Sequence, residues 1–152
     1  MTEFVTAGAG FLLAVLWFDL MFDVQALRGR RRAGELPEAV LASIAGYYRR
    51  VTTAARPMNR LIGAVMVGTL AAVATQLVGD DAPNWVAAIS LALIGMALLI
   101  VATRTFPNAV RLGARSDPPT VQTRLARAIG VDHIVCLAAM TALLAIQLAA
   151  AR

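Results

Sequence analysis

The stretch FVTAGAGFLLAVLWFDLMFD, Phe4 to Asp23, decides the fold. From Phe4 to Phe18 it carries no charge, and then it places Asp19 and Asp23 four residues apart. A helix that crosses a bilayer needs about 20 mostly apolar residues. The run from roughly Phe4 to Phe22 meets that need. Three more stretches do the same: Leu61 to Val78, Trp85 to Thr103, and about Ile129 to Ala151.

Composition agrees. Hydrophobic residues make up 59% of the 152, and charged residues only 15%. An ordinary soluble domain has about 25% charged residues. With a mean hydropathy of +0.71, this chain has too little polar surface to cover itself in water. The expectation is an all-α, integral membrane four-helix bundle, one domain over residues 1–152. No stretch alternates apolar and polar, so membrane strands are not expected.

Charge sets the direction. All 14 basic residues are arginine, and 13 of them fall in two segments, 24–60 and 104–128. The link GDDAPN between spans two and three has none and carries Asp80 and Asp81. Arginine-rich loops stay in the cytoplasm. Both termini are then expected outside, with both long loops inside, in a bacterial inner membrane. The formal net charge of +5 is explained by these flanks, so nucleic acid is not an expected partner. The opening MTEF has no basic residue before the apolar run, so the first span is expected to stay in the mature chain.

The loops carry helical patterns. Val40, Leu41, Ile44, Tyr47, Tyr48 and Val51 recur at helical spacing after Pro37. That predicts an amphipathic helix over about 37–55, lying in the interface with its tyrosines at headgroup depth. SDPPTVQTRLARAIG, Ser116 to Gly130, predicts a helix that runs unbroken into span four.

With this topology the polar groups gather at one level. Asp23 sits at the cytoplasmic boundary, and Asp19 lies one turn deeper on the same helical face. Span four enters at that level with Asp132 and His133, span two with Arg56, Asn59 and Arg60, and span three leaves with Arg104 and Asn108. A carboxylate in lipid is costly, about 2.5–3.5 kcal/mol at mid-helix. Asp19 therefore needs a partner, and the candidates are those arginines and His133. One reading is structural: Asp19 and Asp23 pair with Arg56, Arg60 or Arg104 and fix how the hairpins dock. The other is a site in which Asp19, Asp23, Asp132 and His133 handle a proton.

A metal centre is not expected. Asp132 and His133 are adjacent, which on a helix turns them about 100° apart. Cys136 is the only cysteine, so no disulfide and no cysteine zinc site can form. No phosphate loop, nucleophile elbow or zinc-protease motif is present. No cofactor is identified.

The layout resembles several small bacterial four-span membrane families, the anthrone-oxygenase-like group among them, on LWFDLMFDVQ (Leu16 to Gln25) and RPMNRLIG (Arg56 to Gly63). The tryptophan in the first helix is also similar to small four-helix protoporphyrinogen oxidases. Those rely on a histidine in that helix, which this chain lacks. The resemblance transfers no functional residue.

Two functions follow as expectations. The first is a non-catalytic accessory or assembly subunit, or a homo-oligomer. In that reading Arg30, Arg31, Arg32, Arg49, Arg50, Arg56, Arg60 and Arg104 meet anionic lipid headgroups or a membrane complex. The second is a small membrane enzyme or transporter that uses the Asp/His cluster for proton transfer on a lipid-soluble substrate.

Overall fold

The computed structural model describes residues 1–28, 34–54, 56–79 and 83–151. Arg30, Arg31, Arg32, Asp80 and Asp81 lie outside them, and so does the side chain of Arg56. The chain is all-helical, 91% helix, with no strand among the described residues. The elements are α1 (Thr2–Arg28), α2 (Glu38–Arg49), α3 (Arg56–Val78), α4 (Asn84–Ile100), α5 (Phe106–Ala114) and α6 (Pro119–Ala150). A π-helical turn, Arg50–Ala54, follows α2. A second one, Val101–Thr105, joins α4 to α5. α1, α3, α6 and the α4–α5 unit are each long and apolar enough to cross a membrane.

Local rules account for the ends. Pro37, Pro83 and Pro118 directly precede α2, α4 and α6. Each fixes an extended backbone just before a helix start. Arg115 ends α5 in the left-handed region at φ 54°, and its guanidinium binds Glu38 at 2.7 and 2.9 Å, tying that turn to α2.

The helices pack as a ring in which α1 touches α3 and α6, and α4 touches the same two. α6 is the most buried span, 44% of its apolar stretch against 22–28% for the others. It is also 32 residues long, well beyond the 20 or so that cross a bilayer. Its surplus first turns pack with α2, α5 and the last turns of α1. There Ala26, Leu41, Ile44, Tyr48, Leu112, Ala126 and Ile129 form a second core, separate from the bundle core around Leu12, Val73, Ile94 and Leu143. The chain therefore builds a helical cap over one end of the bundle. The segments between the spans are mostly helix: α4 continues through its π turn into α5 as far as Ala114, past the end expected near Thr103.

The other end is closed by amides. Gln76 and Gln147 exchange two hydrogen bonds, 3.1 and 2.9 Å. Gln147 also donates to Ser90 at 3.0 Å, and Gln76 to Thr2 at 3.3 Å. One polar knot thus joins all four spans and places both termini at the end away from the cap. Gln147→Leu should cost about 1–3 kcal/mol, since it strands the buried Gln76 amide. The double change Gln76→Leu/Gln147→Leu should recover most of that loss in detergent unfolding. A double variant as weak as the single one would contradict this pairing.

Candidate functional site

The site lies where the cap meets the bundle. It begins with the Asp19–Asp23 spacing on α1, which turns both carboxylates inward. α6 reaches them because Gly130 lets it come close. A Cβ on Gly130 would sit 3.2 Å from the Asp23 Cβ and from Leu27. One turn further, the His133 Nδ1 is 2.7 Å from Asp23 Oδ2. A carboxylate only accepts, so the proton of this bond sits on Nδ1. Nε2 then faces Asp19 Oδ2 across 3.8 Å, too far for a hydrogen bond.

α2 supplies the rest. Tyr47 donates its hydroxyl to Asp19 at 2.6 Å, and Tyr48 donates to Asp23 at 2.6 Å. The two adjacent tyrosines thus serve two carboxylates one turn apart. The Tyr47 ring stacks on Phe22, centroids 4.0 Å apart. Gly113 admits α5 to the α2 backbone beside Tyr48, where a Cβ would lie 2.9 Å from the Arg49 nitrogen. Asp23 is fully buried, and Tyr48 and His133 nearly so. The chain's one histidine and both of its tyrosines therefore converge on two of its carboxylates.

Burial, with the Asp19 carboxylate beside it, pushes the Tyr47 phenol well above its ordinary value. Burial and Asp23 do the same for Tyr48. Both folded values stand above the unfolded value near 10. The contribution of these protonated phenols is then whole below about pH 10 and is lost as pH rises through the folded values. An alkaline titration followed by phenolate absorbance reads only these two groups. It should show ionisation delayed until the helices melt. Two phenols ionising freely near pH 10 in the folded protein would contradict the geometry.

Asp132 behaves differently from its neighbour. It binds Arg104 at 3.0 Å and lies 3.4 Å from the Thr105 hydroxyl, both in the π turn after α4. Adjacent positions on one helix diverge, as expected from the 100° step. The structure thus gathers Asp19, Asp23 and His133 and sets Asp132 in a separate ion pair. Of the arginines named as possible partners for Asp19 and Asp23, Arg56 has its side chain outside the described residues, and Arg60 and Arg104 do not meet either carboxylate. Arg104 pairs with Asp132 and is more than half exposed, and Arg60 is exposed, as are Arg49 and Arg50. The acceptors on α1 are met instead by neutral phenols and the imidazole. Among the described residues no three His, Cys, Asp or Glu side chains are placed to hold a metal ion.

Sequence reasoning missed the tyrosines as partners. The signal was there: Tyr48 stands seven residues after Leu41 and four after Ile44, on the buried stripe of α2. A buried phenol needs an acceptor.

Beside these groups is a cavity of about 540 Å³, within the range of small-molecule pockets. Asp19, Tyr47, Tyr48 and His133 form its polar wall at the cap end. Toward the bundle its lining is apolar, including Leu12, Val15, Ile62, Met66, Ile94 and Met140. No family model, no curated protein and no solved structure matches this chain.

Proposed function

We propose that this multi-pass membrane protein binds a lipid-soluble molecule with a hydrogen-donating head group, and moves a proton between that group and His133. One observation carries the reading. An imidazole held at Nδ1 by a buried carboxylate directs Nε2 toward a second carboxylate, at the polar wall of a mostly apolar chamber. The gap between Nε2 and Asp19 is too wide for a direct bond and suits a donor group set against both. The site geometry favours this proton-handling role over a purely accessory one.

The step is simple. The head group's O–H or N–H donates to Nε2. The proton passes to Nε2, and the electron pair of that bond stays on the head group. The imidazolium is then flanked by Asp23 and Asp19, which stabilise its charge. Tyr47 and Tyr48 hold the two carboxylates in place. Return of the proton, to the same atom of the ligand or another, resets the site.

The arginine distribution supports placing the cap in the cytoplasm and both termini outside, in a bacterial inner membrane. α2 then lies along the membrane interface. Arg49, Arg50 and Arg60 there can hold anionic headgroups, at about 1 kcal/mol each near the surface.

The test is retention of ligand. Protein purified in mild detergent should release, on organic extraction, a lipid-soluble compound bearing a hydroxyl or amine. Folded Asp19→Asn and His133→Gln proteins should lose it. The same extract from all three would sink the proposal.

A further inference from the structure

We infer that the ligand enters sideways from the bilayer, through an opening between α1 and α3, and that it is an elongated amphiphile whose apolar tail fills the chamber toward that opening. This rests on the binding role proposed above and adds the route and the shape.

The two helices touch tightly at one place. A Cβ on Gly8 would overlap the Thr69 hydroxyl, so the Thr69 side chain of α3 packs directly on the α1 backbone there. Beyond that crossing they part. The buried residues of α3, Met66, Thr69, Val73 and Gln76, begin only at Met66, and from Pro57 to Val65 not one residue is buried. The cavity fills that space, with Phe11, Phe18 and Asp19 on α1 facing Met58, Ile62 and Gly63 on α3. Asp19 stands eleven residues from Gly8, and Met58 eleven from Thr69, about 16 Å in each case at 1.5 Å per residue. The opening therefore runs from the helix crossing down to the level of the carboxylate.

Its rim is apolar and exposed. Phe18 is 61% exposed and Met58 49%. Trp17, Met21 and Leu61 flank them, also exposed. Such a surface suits acyl chains rather than water. The polar groups a molecule entering here would meet gather toward the cap end of the chamber, Asp19, Tyr47, Tyr48 and His133, with Thr52, Asn59 and Thr105 also in the lining. A long tail with a small donor at one end fits that order.

Cys136 lines the cavity and is the only thiol, so it reports entry. In phosphatidylcholine–phosphatidylglycerol vesicles, neutral N-phenylmaleimide should modify Cys136, and a charged sulfonated maleimide should do so far more slowly. Gly63→Leu and Ile62→Trp, which narrow the opening, should lower the neutral rate by roughly tenfold. Phe18→Ala alters an exposed side chain and should raise the rate, so the test survives if a bulky variant fails to fold. 1-Dodecanol should protect Cys136, whereas dodecane should not, and Asp19→Asn with His133→Gln should abolish the alcohol's protection.

An inert Cys136, equal rates with the charged reagent, or rim variants that label like the wild type would overturn lateral entry. Equal protection by dodecane would overturn the amphiphile. If rim variants change the labelling rate but Asp19→Asn and His133→Gln leave protection intact, entry stands and the proton-handling role fails. The reverse pattern fails the entry route alone.

Discussion

Asp23→Ala should destabilise the protein by about 2–6 kcal/mol, roughly 1–3 for each of two buried donors left without an acceptor. Those donors are the Tyr48 hydroxyl and the His133 Nδ1–H. Asp23→Asn keeps the shape and one acceptor oxygen, so it should lose about half as much. The amide can also donate to Nδ1, which would move the imidazole proton to Nε2. Because His133 is the only histidine, the ¹⁵N spectrum of histidine-labelled protein reads this switch directly. The variant Asp23→Leu/Tyr48→Phe/His133→Leu removes the whole buried network. It should recover most of the stability, since removing both sides of a buried polar contact is nearly neutral, and should bind no ligand. A stable but empty triple variant marks a network kept for chemistry. A triple variant as unstable as Asp23→Ala would show that the network holds the fold.

The second large effect is expected at Gly130. Here α6 crosses α1 against Asp23 and Leu27, at the most extensive helix interface in the molecule. Gly130→Leu should cost about 1–3 kcal/mol from overpacking, and it should also push His133 away from Asp23. Unfolding in detergent measures the first effect, and loss of the Nδ1–H signature in the imidazole spectrum measures the second. Gly10 is the control. A Cβ there meets nothing within 4 Å, so Gly10→Leu should stay within about 0.5 kcal/mol of wild type. A Gly130→Leu protein with native stability and an unchanged imidazole signal would refute the close crossing.

Both predictions rest on residues whose role is only partly readable along the chain. Asp19 and Asp23 announce themselves, because two carboxylates in an apolar helix demand partners. His133 is equally visible as the one imidazole at the same level. Gly130 is not: in a chain rich in small residues, nothing local separates a glycine at a crossing from one facing lipid. Gln76 and Gln147 can be seen as odd polar residues, but not as a pair, since 71 positions separate them.

The sequence by itself determined four apolar spans, a polar level at one end of them, and the divergence of Asp132 from His133. These follow from transfer free energy and helical period, which depend on residue type and spacing alone. Only the tertiary structure decided which partner each charge meets. It sent Arg104 to Asp132 and brought Tyr47 and Tyr48 to Asp19 and Asp23. It also opened a chamber where α3 leaves α1. The reason is that a helical stripe specifies a face and not what that face meets. That depends on where backbones can approach, and a few glycines and one folded-back helix settle it.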